Sequence, residues 1–131
     1  MSNDKEVFNR SHIPGKEVID NGFLESVDYD YPGRKTEIEI IFPEFTSVCP
    51  WTGLPDFGTL RIIYVPKDKC VEFKALKYYL NSFRNAGILQ EHVVNKVLDD
   101  LVNLLSPNEM KVIAEFNARG GIKTVISASH K

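Results

Sequence analysis

Strict alternation marks the first strand of this chain. From Thr36 to Phe42 the apolar residues Ile38, Ile40 and Phe42 alternate with Glu37 and Glu39, the period of a half-buried strand. A second strand, Gly58 to Val65, puts Leu60, Ile62 and Tyr64 on one face. From Val71 the period becomes helical, with Phe73, Leu76, Leu80 and Phe83 in one stripe, until Asn85-Ala86-Gly87 ends it. A second helix is predicted from about Gln90 to Leu105, with Val94, Val97, Leu98, Leu101 and Leu105 inward and Ser106-Pro107 as its stop. Glu109 to Phe116 and Gly121 to Ile126 close the chain as a hairpin around Arg119-Gly120-Gly121. The order β-β-α-α-β-β predicts an α+β fold, an antiparallel four-stranded sheet with two helices on one face. The other face and the outer edges are left uncovered, and closing several copies into a ring covers both.

Residues 1–34, broken by Pro14-Gly15, Asn21-Gly22 and Pro32-Gly33, read as an N-terminal arm, and residues 35–131 as a single domain. A chain of 131 residues buries a modest share of its surface, which also favours assembly. Charge is near balance, 16 Lys+Arg against 18 Asp+Glu, unlike a dedicated nucleic-acid binder. No run approaches the roughly 18 apolar residues of a membrane span, and Met1 to Arg10 lacks the apolar stretch of a secretory signal. A cytoplasmic location follows as the expectation. The two cysteines, Cys49 and Cys70, need form no disulfide there. His12, His92 and His130 are far apart, no Cys or His pair has zinc-finger spacing, and no metal is expected.

Three stretches carry candidate chemistry. Pro43 to Phe57 reads as a long connection, too apolar and aromatic to be disordered. Pro50, Gly53 and Pro55 compact it, so that Asp56 folds back towards Cys49, a plausible nucleophile and proton-transfer pair. Taken alone, these residues equally allow a buried apolar cysteine and an aspartate serving its turn. Lys74, Lys77, Asn81 and Arg84 form a cationic stripe that suits a phosphorylated ligand, or else a solvated face. At Gln90-Glu91-His92, a carboxylate can cap the helix or accept paired hydrogen bonds from a purine-like edge. Cys70 reads as a packing residue.

Together these stretches resemble the 7-cyano-7-deazaguanine reductases of queuosine biosynthesis, in their short single-module form. The run Pro43-Glu-Phe-Thr-Ser-Val-Cys-Pro-Trp-Thr-Gly-Leu-Pro-Asp-Phe57 is similar to the family's catalytic motif without a gap. The resemblance puts the nucleophile on Cys49 and the proton donor on Asp56. Glu72-Phe73-Lys74-Ala75-Leu76-Lys77 resembles the cofactor signature, with Phe73 in place of the usual Ser or Leu. It implies NADPH contacts at Lys74 and Lys77, and substrate contacts at Val71, Glu72, Phe73, Gln90 and Glu91. Gln90 stands where the family often has His, and is expected to substitute for it, whereas His92 is expected to have no role.

The implied fold is the tunnelling fold, whose subunits close a barrel-shaped ring. The implied assembly is a homo-oligomer, two stacked pentamers with sites between subunits, acting on a small deazapurine nitrile with no direct nucleic-acid partner. The implied reaction takes 7-cyano-7-deazaguanine to its aminomethyl product through a Cys49 thioimide, consuming two NADPH. No Gly-x-Gly-x-x-Gly follows a strand, so the cofactor is not held by a Rossmann unit. Two other readings share the fold: an amidinotransferase passing ammonia to the nitrile, and a non-catalytic ring-forming module. A pteridine-type hydrolase would need zinc ligands that are missing.

Overall fold

The computed structural model describes residues 13–131, so the start of the expected arm, His12 included, lies outside the described residues. Two short 3-10 turns, Lys16–Val18 and Asn21–Phe23, precede β1 (Ser26–Asp28), β2 (Ile38–Val48), β3 (Pro55–Val65), β4 (Lys69–Val71), α1 (Phe73–Asn81), α2 (Gln90–Leu105), β5 (Glu109–Arg119) and β6 (Ile122–His130). Four strands form one antiparallel sheet with both helices on one face, as the element order predicts, and they lie side by side as β2-β3-β5-β6. The core lies between them: Leu60, Ile62, Tyr64, Val112 and Phe116 from the sheet meet Leu76, Tyr79, Val97 and Leu101 from the helices. The opposite face leaves Ile41, Phe57 and Val125 exposed.

The connection expected over 43–57 is shorter than predicted. β2 continues to Val48 and β3 begins at Pro55, so only the residues from Cys49 to Leu54 form the turn. The alternation is broken by a bulge, where Pro43 and Glu44 stand against the single residue Thr59. Pro43 has no N–H for the ladder, and an edge strand such as β2 tolerates that. A second bulge interrupts the last hairpin: Phe116 pairs with Thr124, but Arg119 with Ile122. Gly120 and Gly121 then turn the chain with φ of 62° and 82°, values that glycine adopts without strain. β6 runs on to His130, past the expected end at Ile126.

Two further departures concern the helical part. Val71 belongs to β4, which pairs with β1 in a small antiparallel ribbon not foreseen from the sequence. α1 starts only at Phe73, because the Glu72 carboxylate caps it by accepting from the N–H groups of Lys74 (2.6 Å) and Ala75 (3.1 Å). Phe73, at the first helical position, is exposed rather than part of the buried stripe. The helix also ends at Asn81, so Arg84 leaves the line of Lys74, Lys77 and Asn81. α2 spans the expected residues, and its chain exits through Ser106 in a left-handed conformation.

The segment before β1 is laced to the helices. The Asp20 N–H donates to Ser82 Oγ (3.0 Å), Asn21 Nδ2 donates to Asp100 Oδ1 (3.3 Å), and the Gly87 N–H donates to the Pro14 carbonyl (2.6 Å). Asp100 is buried and also accepts from the Tyr79 hydroxyl (2.6 Å) and Lys96. Its charge is therefore met from three sides, as burial requires.

Gly58 shows how tightly the sheet carries its aromatic layer. It lies between Phe45 on β2 and Phe116 on β5, whose rings meet edge to face with centroids 6.1 Å apart. A Cβ at Gly58 would sit 2.6 Å from the Glu115 carbonyl oxygen and 3.0 Å from Phe116 Cα, both backbone atoms. Gly58→Ala should lower stability by about 1–3 kcal/mol through overpacking, read as a lower denaturation midpoint. An unchanged midpoint would mean that β5 can move aside.

Candidate active site

Cys49 is placed by the end of β2 and by what that end is tied to. The Val48 N–H donates to the Ala86 carbonyl and the Ile88 N–H to the Val48 carbonyl, both at 3.0 Å. This pairing draws the junction between the helices, and with it the start of α2, against the turn. Gly87 is required there: a Cβ would lie 2.7 Å from Ile13 Cγ2, 2.9 Å from the Pro14 oxygen and 3.6 Å from Pro50 Cα. The turn itself closes through Cys49 N–H to the Leu54 carbonyl and Gly53 N–H to the Cys49 carbonyl, both 2.9 Å, with Gly53 at φ 75°.

The bulge at Pro43-Glu44 decides which way Cys49 faces. Extending the alternation of Ile38, Ile40 and Phe42 would bury Glu44, Thr46 and Val48. One extra residue shifts the phase, and Phe45, Ser47 and Cys49 are buried instead. They share that face with Asp56, which pairs directly with Ser47 and is 4% exposed. The second bulge does the same for Arg119. Its partner Ile122 has the parity of Thr124, so Arg119 lies on the face of Phe116 and not on the opposite one. From there Arg119 Nη1 reaches Asp56 Oδ1 at 3.0 Å.

The charges are mutually supporting. Burial pushes the Cys49 thiol up, but the Thr52 hydroxyl, the backbone N–H groups of Trp51 and Thr52, and the Arg119 guanidinium outweigh it. The net result is a thiol held below its ordinary range, the condition for a nucleophilic cysteine. Cys49, Asp56 and Arg119 line a cavity of about 270 Å³ together with Gln90, Glu91 and Thr124. Thr124 Oγ1 donates to Gln90 Oε1 at 2.5 Å, fixing that amide at the mouth of α2. His92 faces a separate depression beside Lys16 and Asp99.

The other sequence-derived candidates stand elsewhere. Val71 is buried, its N–H donating to the Tyr64 hydroxyl at 3.1 Å. The Glu72 carboxylate is the helix cap already described. Phe73 and Lys77 line a different groove, of about 390 Å³, between α1 and the edge strand β2. Lys74 Nζ lies 6.0 Å from the centre of the exposed Tyr78 ring. Among the described residues neither lysine forms an ion pair. Both cysteines are free, and no cluster of His, Cys, Asp or Glu among the described residues could hold a metal ion.

Residues 55–131 match the family model described as "QueF-like protein". The chain belongs to the QueF-like family. Two relatives match almost end to end. It is 56% identical over 128 residues to the NADPH-dependent 7-cyano-7-deazaguanine reductase of Caldicellulosiruptor bescii, covering 98% of each chain. The protein of that name from Thermoanaerobacter pseudethanolicus is 55% identical, with 98% of this chain and 96% of the relative covered. The one from Chlorobium chlorochromatii is 59% identical over 107 residues, 82% of this chain and 92% of the relative. Among solved structures, the apo form of an archaeosine synthase, QueF-Like, superposes with a TM-score of 0.63 over 72% of this chain and 90% of its own. At 20% identity that likeness concerns the QueF-like fold alone.

Arg119 is the site residue that the sequence pattern missed. A cation before Gly120-Gly121 reads as a solvated turn residue, and only the bulge, which leaves no mark in the apolar pattern, turns it inward. Thr52, in the same turn, gives the strongest of the contacts that lower the thiol pKa. Removing a donor disfavours the charged form, so Thr52→Val and Arg119→Met should each move the pH midpoint of Cys49 alkylation upward. The larger shift is expected from Thr52→Val. Unmoved midpoints in both variants would remove these groups from the control of Cys49.

Proposed function

We propose that this chain reduces the nitrile of 7-cyano-7-deazaguanine to the primary amine with NADPH, through a thioimide on Cys49, in queuosine biosynthesis. What carries the proposal is the convergence of Cys49, Asp56 and Glu91 on one cavity in a chain whose near relatives bear that enzymatic name. The nitrile carbon is electrophilic, but an attack that leaves charge on nitrogen needs a proton at once. Cys49 sulfur bonds to the carbon while one C–N π bond breaks. The proton lost by the thiol passes through Asp56 to the nitrogen, so the adduct is neutral and no external acid is consumed. Arg119 touches both groups and holds the Cys49 sulfur and the Asp56 carboxyl side by side for that transfer. Glu91 offers a carboxylate to the donor edge of the deazaguanine, and Gln90, anchored by Thr124, stands beside it.

NADPH, when bound, supplies the hydrides, two per turnover, because nitrile to amine is a four-electron change. Lys74 and Lys77, cations without acidic partners among the described residues, flanked by the exposed rings of Phe73 and Tyr78, fit its phosphates and planar rings. They do not line the Cys49 cavity of the same chain. In our reading the groove of one subunit adjoins the Cys49 cavity of its neighbour in a ring, which also covers the exposed edge and outer face of the sheet.

Mixing the nitrile with the protein in the absence of NADPH should add the mass of the substrate to the Cys49 peptide. Adding NADPH should oxidise two equivalents per nitrile, and ammonia should leave the adduct untouched. Adduct on Cys70, or turnover surviving in Cys49→Ala, would refute the assignment. Asp56→Asn should cost roughly 10²–10⁴ in turnover, the usual range for a general acid.

A site shared between subunits has its own signature. Cys49→Ala and Lys77→Ala, each nearly inactive, should regain turnover when co-assembled, since some interfaces then hold both intact halves. Mixed oligomers that stay inactive would place the two halves in one subunit.

A further inference from the structure

We propose that Ser47 is a positioning residue whose hydroxyl holds the Asp56 carboxyl in the orientation from which its proton reaches the nitrile nitrogen. The proposal rests on the reading of Cys49 and Asp56 above and adds a residue to it. Ser47 is fully buried, and among the described residues its Oγ is the buried side-chain polar atom left without a hydrogen-bond partner. A hydroxyl taken from water and left unpaired weakens the fold, and alanine would fill the same space without that cost. Packing therefore gives no reason for a serine.

Its neighbours supply one. Ser47 stands directly opposite Asp56 in the β2–β3 ladder, and side chains so paired share a face with their Cβ atoms about 4.5–5.5 Å apart. In the present geometry Asp56 Oδ1 accepts from Arg119. The other ionisable groups lining the cavity around Asp56 are Cys49 from the turn and Glu91 from α2. During the proposed cycle Asp56 alternates between carboxylate and acid. A guanidinium only donates, so it holds the carboxylate but cannot accept the proton of the acid, whereas a hydroxyl donates to the carboxylate and accepts from the acid. Ser47 is thus the partner that serves Asp56 when Arg119 no longer does. Ser47 exchanges no atom in this role.

The test compares wild type, Ser47→Ala, Asp56→Asn and the double variant. The readouts are the rate of Cys49 adduct formation, the nitrile concentration at half-saturation, and the thermal midpoint. Ser47→Ala should keep or raise the midpoint and leave half-saturation unchanged, while slowing adduct formation about tenfold or more, the worth of one hydrogen bond to a charged group. In the Asp56→Asn background the same change should cost less than about threefold, because Ser47 acts through Asp56. Wild-type adduct rates in Ser47→Ala, an equal loss in both backgrounds, or a loss that follows a lowered midpoint would each overturn the proposal. Failure of wild type itself to form an adduct would sink the Cys49 reading, and Ser47 with it.

Discussion

Two extra residues in two strands set the direction of the side chains on which this site depends. In a sheet the side-chain period is two, so one inserted residue moves everything beyond it to the other face. The bulge at Pro43-Glu44 turns Ser47 and Cys49 inward, and the bulge before Arg119 brings its guanidinium to the same side. Asp56 needs no such correction, because β3 pairs without a shift from Val65 to Gly58 with β5. The regular central strand therefore fixes the carboxylate, and its two irregular neighbours bring the thiol and the cation to it.

Main-chain pairing completes the arrangement. Val48 binds Ala86 and Ile88 on both sides of Gly87, so the first turn of α2 arrives beside the thiol with Gln90 and Glu91 in place. The cavity then holds a thiol held low in pKa, a carboxylate in contact with Arg119, and a second carboxylate at the helix start. Thiol, buried carboxylate, helix-start amide and carboxylate, and guanidinium come from four segments of one chain: the end of β2, β3, α2 and β5.

Strand and helix identities were legible because the core is periodic: Leu60, Ile62 and Tyr64 on β3, and Val94, Val97 and Leu101 on α2, are buried as their spacing requires. The turn chemistry of Ser106 and of Gly120-Gly121 was legible for the same local reasons. Phase was not. A bulge is a two-against-one pairing between distant segments, and alternation read along a single strand contains no information about its partner. That is why Pro43 to Val48 reads as a connection and Arg119 as a turn residue. Cys49 and Asp56, which line one cavity, were singled out through their motif, whereas the ribbon of β1 with β4 joins segments too short to show a period. Lys74 and Lys77 were legible as a pair, but their distance from Cys49 within one chain was not.

The bond from Gly87 to the Pro14 carbonyl has a mechanical consequence. Gly87 is the peptide unit clasped by Val48, so residue 14 and the thiol-bearing turn are anchored to opposite sides of the same glycine. Tension applied to the chain ahead of Ile13, by a fused partner or a tether to a surface, is delivered to that glycine before it reaches the sheet. Immobilising the protein by its front end thus loads the clasp that seats Cys49, whereas a tether at Lys131 pulls along the far end of β6 and spares it.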